Sequence, residues 1–349
     1  MTAPDLTRYV IRGAVGGDEH DLLALARHLN TINLPHDPQS VREIVDLSER
    51  SFSGALKDPR RREYVFVLED LEERRVIGTS KILAQLGRRD APYIFFDVII
   101  EEKYSPTLDR HFVHTVLRLG HSFEGPTEIG GLIVLPECRR VPDKVGMMIS
   151  YVRFMFMAMH RGLFRNEVVA ELLPPLLPDG RSHLWESLGR KFTDMTYLDA
   201  DALSKRNKEF IKALFPNGDI YASLLPPEAQ GVIGKVGRET LGVEKMLRRI
   251  GFQYCNRIDP FDGGPHFRAA TDEIQLVKRT QHARVRPSTA LPPSSPRCLV
   301  AASLRDPPYF RAVTAPAFVT PEGAVEISQA NFDLLNVALD SDVAVLALD

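Results

Sequence analysis

Runs of apolar and branched residues alternate along the chain with stretches whose apolar positions recur at helical spacing, and this alternation predicts a mixed α/β protein. YVFVLE at Tyr64–Glu69 and VIGTSKILAQL at 76–86 predict two strands, and the charged LEERR between them predicts a hairpin. Further strands are predicted at Tyr9–Arg12 and Tyr93–Ile100. Glu167–Leu172 is predicted to lie parallel to its neighbour.

Helical spacing predicts a helix at 18–30 with Leu22, Leu25, Ala26 and Leu29 inward, and others at 38–52, 205–215, 227–236 and 241–250. SHLWESLGRKF (182–192) is predicted as a helix whose Trp185 and Phe192 belong to the core. HFVHTVLRLG (111–120) is predicted to be helical or mixed. Its His111 and His114 have helical spacing but lack the third ligand that a zinc site needs.

The stretch Glu128–Arg161 combines a strand, a basic turn and a helix. Ile129–Leu135 is a short branched run, and the helix after it places Met148, Val152, Met155 and Met159 on one face. The turn RRVPDKVG lies between them, before the unpaired N–H groups of the helix's first turn. This pattern favours an anion site, for which an acyl-CoA pyrophosphate is one suitable ligand, and a solvated basic loop is the alternative.

Composition narrows the possible classes of protein. The 349 residues predict two or three domains, and 44 basic against 46 acidic residues give no electrostatic footprint for nucleic acid or an anionic membrane. The three cysteines are far apart, which predicts neither a disulfide framework nor a cysteine metal cluster. With no leader and no apolar run near the roughly 18 residues of a membrane span, we expect a cytoplasmic protein.

The last part of the chain is rich in proline before it returns to strand-like runs. HARVRPSTALPPSSP is predicted to lie in a linker at 281–296. CLVAASL, FRAVTA, GAVEIS and VAVLALD then predict the short strands of a small β domain at 297–349.

Several motifs together resemble one known family. They are YVFVLED (64–70), RFMFMA (153–158), VVAEL (168–172), SxxWxSLGRKF (182–192), QGVIGKV (230–236) and RIDPFDGGP (257–265). In this order they resemble arginine N-succinyltransferases over nearly the whole chain. The resemblance implies a GNAT-like acyl-CoA N-acyltransferase core at 1–173, an extension completing the cleft at 174–280, and a C-terminal β-barrel-like domain after the linker.

The resemblance also implies a reaction and its ligands. Succinyl would pass directly from succinyl-CoA to the α-amino group of L-arginine, without a permanently bound cofactor or a metal. The donor would lie along Leu132, Ile133 and Val134, with its pyrophosphate at Arg139, Arg140, Lys144 and Gly146. The expected assembly is a homo-oligomer or a heteromer with a paralogous chain.

Three departures from the family pattern raise alternatives. The phosphate turn has two inserted residues, and Lys144 stands where the first glycine would be. Gly237 occupies the position of the family's proton-donor histidine, and Arg268 that of an acidic residue near the substrate. A catalytically silent subunit, or an enzyme with another acceptor such as ornithine, are therefore the competing hypotheses.

Four further side chains are candidates for catalysis or substrate binding. Glu128 is a candidate to deprotonate the amine through water, against a solvated carboxylate, and Glu171 is a candidate ammonium partner, against a structural ion pair. His266 is the nearest candidate to replace the lost histidine, against an ordinary surface residue. Asp262 is a candidate contact to the acceptor, against ordinary turn chemistry, since it precedes Gly-Gly.

Overall fold

A computed structural model describes residues 7–28, 34–204 and 207–348. The strands are β1 (Tyr9–Gly13), β2 (Glu63–Asp70), β3 (Arg75–Leu83), β4 (Tyr93–Ser105), β5 (Arg110–Ser122), β6 (Thr127–Val134), β7 (Glu167–Glu171), β8 (Ile220–Tyr221), β9 (Gln253–Ile258), β10 (Pro265–Ala270), β11 (Gln281–Ser288), β12 (Arg297–Ser303), β13 (Phe310–Pro316), β14 (Phe318–Val319), β15 (Ala324–Ser328) and β16 (Asp342–Ala347).

The helices follow the same chain order. They are α1 (Glu19–Ala26), α2 (Pro38–Phe52), α3 (Val145–Met159), α4 (His183–Ser187), α5 (Gly189–Thr193), α6 (Tyr197–Ser204), α7 (Glu209–Leu214), α8 (Pro227–Val232), α9 (Leu241–Arg249), α10 (Gln275–Arg279) and α11 (Gln329–Leu335). Within the described ranges, no helix is both long and apolar enough to cross a bilayer.

The chain forms two compact units, each built from separated segments. Unit 1 comprises the described residues of 1–84, 129–166 and 271–349, and unit 2 comprises 85–128 and 167–270. This division differs from the domains predicted along the sequence, because the C-terminal strands belong to the same unit as the N-terminal ones.

Unit 1 is a sheet with α3 packed against it. The strand order is β14-β15-β11-β16-β12-β13-β1-β2-β3-β6. Phe156 of α3 meets Phe66 and Phe310 edge to face in the core, and the Ser80 hydroxyl donates to the Ile149 carbonyl at 2.7 Å. These contacts fix α3 on the sheet, and thereby fix the turn that precedes it.

Unit 2 is a sheet in the order β7-β10-β9-β4-β5-β8, covered by short helices. The first residues of β6 pair in parallel with β7, Thr127 opposite Val168 and Glu128 opposite Val169, as predicted. Trp185 and Phe261 are central to its apolar core. Three polar side chains at the end of this sheet form the candidate site described below.

The strongest local patterns are confirmed. The β2–β3 pair is an antiparallel hairpin, α2 begins and ends where predicted, and α3 follows β6. Pro38 opens α2 because its missing N–H would be unpaired there anyway, and the Asp37 side chain accepts from the Ser40 N–H at 2.8 Å. The predicted residues Leu29, Asn30 and Lys205 lie outside the described part of the chain.

Four predictions are wrong. HFVHTVLRLG belongs to strand β5, which pairs along its whole length with β4, so His111 and His114 project from opposite faces. The first half of the predicted linker is β11, where buried Ala283 and Val285 alternate with arginines. SHLWESLGRKF is two short helices, because the backbone of Leu188 between them leaves the helical region (φ −126°, ψ −72°). Phe192 is 42% exposed, so it is not a core residue.

Candidate functional site

The predicted donor residues lie at the end of β6 and in the turn before α3, in unit 1. Ile133 and Val134 are buried and Leu132 is half-buried. The Arg139 side chain donates to the Val134 carbonyl at 3.0 Å, while Arg140 is exposed. Lys144 has a left-handed backbone (φ 53°), a conformation that glycine adopts without strain. The turn therefore keeps a glycine-like shape with an exposed lysine in it.

A buried arginine stands beside the same strand. Arg153 of α3 is 2% exposed, and its guanidinium donates to the Ser150 hydroxyl at 2.7 Å and to the Gly130 carbonyl of β6 at 3.4 Å. Burial lowers its pKa to about 9, so it remains charged at neutral pH. Within the described chain no carboxylate forms an ion pair with it.

A cluster of acids surrounds the end of β7 in unit 2. Glu171 is the last residue of β7, and His266 of β10 lies directly opposite it in the antiparallel register. Asp259 follows β9, Asp262 lies in the turn to β10, and Glu128 is buried on β6. The ends of four strands and a turn therefore bring together the four candidates named from the sequence and one further carboxylate, Asp259.

The carboxylates in this cluster resist ionisation. Burial, followed by the charges of Glu128 and Asp259, raises the pKa of Glu171 well above its ordinary value. Burial is also the main cause that raises the pKa values of Asp259 and Asp262, and Lys208 opposes the shifts of Glu171 and Asp259. The Glu171 side chain keeps 31% of its surface accessible, so water screens part of this repulsion and a ligand can reach it. The cluster therefore favours a bound cation.

His266 is a neutral group inside the protein. It is fully buried, and burial, with the positive charges of Arg257 and Lys208, lowers its pKa to about 3. Nδ1 lies 2.9 Å from the Tyr93 hydroxyl. Nε2 lies 3.5 Å from Glu171 Oε1 and makes no hydrogen bond within the described residues.

The ring's tautomer depends on the direction of the hydrogen bond with Tyr93. The Tyr93 hydroxyl can donate to a bare Nδ1 or accept from Nδ1–H. When Tyr93 donates, the neutral ring carries its proton on Nε2, the nitrogen that lies 3.5 Å from Glu171 Oε1.

Glu171, Asp259 and His266 are the residues closest to a metal-ligand arrangement. Their donor atoms all lie within 4.8 Å of one another. A metal would need the bare Nε2 lone pair, whereas an ammonium or guanidinium needs only hydrogen-bond acceptors, which the two carboxylates supply. The two carboxylates can therefore hold an organic cation whichever ring nitrogen carries the proton.

The remaining predicted residues, Asp262 and Arg268, have other contacts. Asp262 is 7% exposed and accepts from the Gly264 N–H at 2.7 Å, so it stabilises its turn. Arg268 forms an exposed ion pair with Glu167 at 3.2 Å. Sequence reasoning missed Asp259, Lys208 and Tyr93. Asp259 lies only three residues before Asp262 in RIDPFDGGP, and this spacing was the available signal.

Comparison with known proteins then places the chain in a family. The family model described as "Arginine N-succinyltransferase beta subunit" matches residues 9–276. The chain belongs to the arginine N-succinyltransferase family. It is 32% identical over 343 residues to the arginine N-succinyltransferase of Enterobacter sp. (strain 638), covering 97% of each chain.

Two Pseudomonas aeruginosa proteins agree with this. The arginine N-succinyltransferase subunit beta is 34% identical over 276 residues, 78% of this chain and 80% of that one. The solved structure of arginine/ornithine succinyltransferase subunit AI superposes with a TM-score of 0.83 at 28% identity, covering 97% of this chain and 98% of that one. The predicted family is confirmed, the chain has the fold of this succinyltransferase subunit, and the protein is an acyltransferase.

The position where the resemblance places a histidine is closed in this member of the arginine N-succinyltransferase family. The Gly237 N–H donates to the Leu173 carbonyl at 2.8 Å. A Cβ built at Gly237 would lie 2.7 Å from the Pro174 carbonyl oxygen and 3.0 Å from that of Leu173. Because both neighbours are backbone atoms, no side chain fits there unless the 173–174 segment moves.

We therefore expect Gly237→Ala to lower the free energy of unfolding by about 1–3 kcal/mol through overpacking. Gly231→Ala is the matched control, because Gly231 lies in α8 with nothing within 4 Å of its added Cβ, and alanine there should stabilise the helix by about 0.5–1 kcal/mol. Urea denaturation of both variants measures the difference. Equal stabilities would show that position 237 has room for a side chain.

Proposed function

We propose that this protein transfers the succinyl group of succinyl-CoA to the α-amino group of arginine, directly and in the cytoplasm. The relative from Enterobacter, aligned over 97% of both chains and named arginine N-succinyltransferase, carries this proposal. The reaction needs a neutral amine, a polarised thioester carbonyl and a proton for the departing thiolate. Assembly with itself or with a paralogous chain stays a prediction.

The acidic cluster of unit 2 supports a cationic acceptor. Glu171 is accessible, and Glu128, Asp259 and Asp262 lie near it. A bound cation would lower the raised pKa values of Glu171, Asp259 and Asp262. An ammonium and a guanidinium offer several N–H donors, as this arrangement requires. We propose Glu171 as the residue that contacts the acceptor.

The turn before α3 and Arg153 support a donor that carries negative charge at both ends. Arg139, Arg140, Lys144 and the first turn of α3 at Gly146 are proposed to hold the pyrophosphate, with the pantetheine along Leu132–Val134. Arg153 touches the same strand at Gly130 and has no carboxylate partner in the described chain. A succinyl group brings such a carboxylate with it, and an acetyl group does not.

The test is release of CoA from succinyl-CoA with arginine, ornithine and a neutral amino acid as acceptors. We expect turnover with arginine, followed by identification of the succinylated product by mass spectrometry. No release with any amine would overturn the proposal, and a thermal shift with CoA would then separate a silent binding subunit from a chain that has lost the donor site.

Arg268 decides between arginine and another acceptor. If its guanidinium repels a cationic acceptor, Arg268→Glu should raise kcat/KM for arginine relative to the neutral amino acid. If arginine is preferred by the natural chain and the substitution changes nothing, Arg268 has no part in acceptor choice, in agreement with its exposed pairing to Glu167.

A further inference from the structure

A chain of polar groups runs through the interior of unit 2 and ends at the accessible Glu171. The Tyr93 hydroxyl and His266 Nδ1 are 2.9 Å apart, and His266 Nε2 lies 3.5 Å from Glu171 Oε1. With Tyr93 donating to Nδ1, the proton of the neutral ring is on Nε2, the nitrogen nearer to Glu171. The distance from Nε2 to Glu171 is longer than an ordinary hydrogen bond.

The long contact between His266 and Glu171 is the feature that points to a functional role for these polar groups. His266 is 0% exposed, and its Nε2 is a buried polar atom without a hydrogen bond. Native proteins rarely leave such a donor unpaired, because its lost hydration is not replaced. Donor–acceptor contacts at active sites are often long without substrate and shorten when it binds. Glu171 Oε1, on the accessible carboxylate, lies 3.5 Å from Nε2, and an Asp259 carboxylate oxygen lies in the same cluster.

We propose that Glu171 takes the proton lost by the acceptor ammonium and that His266, held by Tyr93, positions the Glu171 carboxylate for this step. This proposal rests on the proposed function. It names a group for proton transfer in a chain that has Gly237, and no histidine, at the family's histidine position. His266 is a positioning residue, because it is buried and acts through Glu171. Glu171 is the group that meets the substrate.

The step balances in protons and electrons. An ammonium N–H bond breaks, its electron pair stays on nitrogen, and the proton forms an O–H bond with Glu171. The nitrogen lone pair attacks the thioester carbonyl, the C–S bond breaks, and the departing thiolate takes the second proton released by the amide nitrogen. Glu171 then returns its proton to water through its exposed side, so the net products are the amide, CoA and one proton.

Several charged and titratable groups lie around the pair. Those near Glu171 are Glu128, Asp259, Asp262, Lys208 and His266, and those near His266 are Tyr93, Arg257, Lys208, Glu171 and Asp259. Burial and the neighbouring carboxylates raise the pKa of Glu171, and Lys208 opposes this rise. A hydrogen bond from Nε2–H to the charged carboxylate would lower the pKa further, and this is the effect proposed for His266.

The first test compares two variants of matched size. His266→Gln keeps an N–H donor near the Nε2 position, and His266→Leu removes it. In kcat/KM for the amine against pH, from about pH 5 to pH 9, we expect His266→Leu to move the acid limb up by about one unit and His266→Gln to leave it near the natural position. KM for succinyl-CoA should stay unchanged in both. An unshifted limb in His266→Leu, or equal shifts in the two variants, would overturn the positioning role.

Glu171→Gln tests the carboxylate itself. Loss of a general base typically costs about 10²–10⁴-fold in rate, and we expect kcat to fall within this range with the acid limb abolished. Retention of full activity would overturn the role of Glu171. Thermal unfolding of all three variants separates these effects from loss of fold, and His266→Leu is expected to lose some stability because it also removes the partner of the buried Tyr93 hydroxyl.

A second measurement does not need turnover. Nitrogen NMR of the His266 ring, assigned by its loss in His266→Gln, should show a neutral ring protonated on Nε2 throughout the same pH range. A ring that titrates there, or carries its proton on Nδ1, would overturn the proposed hydrogen-bond order. Inactivity toward every amine would overturn the proton role together with the proposed function, whereas turnover with an unshifted His266→Leu profile would overturn the positioning role alone.

Discussion

Trp185→Ala is expected to lower the free energy of unfolding of this chain by about 3–5 kcal/mol, the usual cost of truncating a buried large aromatic residue. Trp185 is 0% exposed, and its ring stacks on Phe261 with centroids 5.0 Å apart. Its Nε1–H donates to the Met195 carbonyl at 3.0 Å. Alanine would leave a cavity at the centre of the unit 2 core and an unpaired carbonyl beside it.

Phe192→Ala supplies the matched control, because Phe192 is an aromatic residue of the same SHLWESLGRKF segment with 42% of its surface exposed. We expect it to cost about 1 kcal/mol, since less apolar area leaves water on folding. Urea denaturation followed by far-ultraviolet circular dichroism measures both variants, which avoids dependence on the fluorescence of the only tryptophan. Similar losses for the two would contradict the assignment of Trp185 to the core.

The same segment shows where sequence patterns predict structure well and where they fail. Hydrophobic spacing predicted α2 and the β2–β3 hairpin because their periods and turn residues are local properties of the sequence. It could not separate Trp185 from Phe192, because burial depends on which residues arrive from distant segments. Phe261, more than 70 residues away, covers one ring and leaves the other partly exposed.

Strand β5 illustrates a second limit. His111 and His114 have helical spacing, but Tyr93–Ser105 pairs with Arg110–Ser122 residue by residue, and this long pairing outweighs a weak helical pattern. The strand β11 was missed for a related reason. Its prolines suggested a linker, although Ala283 and Val285 already showed the period of two that a half-buried strand requires.

Individual residues of the candidate site could be predicted from the sequence, but the contacts between them could not. Glu171 and His266 were each identifiable as titratable residues at the ends of predicted strands. Their contact depends on the register of β7 against β10, which no local pattern contains. Asp259 precedes a proline, so the local sequence indicates a turn, and its position beside Glu171 depends on the fold.

Arg153 offers the sharpest test of the donor's identity. A buried arginine without a carboxylate partner is costly, because its lost hydration is repaid only by neutral acceptors, here the Ser150 hydroxyl and two carbonyls. The terminal carboxylate of a succinyl group would complete this site, and butyryl-CoA has the same chain length without that carboxylate. Comparing the two donors therefore separates the effect of the Arg153 charge on donor recognition from the effect of its packing.

We expect Arg153→Met to lower kcat/KM for succinyl-CoA by roughly 10²-fold, within the range seen when one partner of a buried charge pair is truncated, and to leave butyryl-CoA nearly unchanged. Stability should not fall sharply, because methionine fills much of the same volume and removes a buried charge that no carboxylate balances. Steady-state kinetics with both donors, alongside thermal unfolding, decide the matter. If kcat/KM falls equally for both donors, Arg153 serves to hold α3 against β6 at Gly130. The acyl carboxylate is then recognised by another cation, because the donor strand offers only backbone groups and apolar side chains at Leu132–Val134.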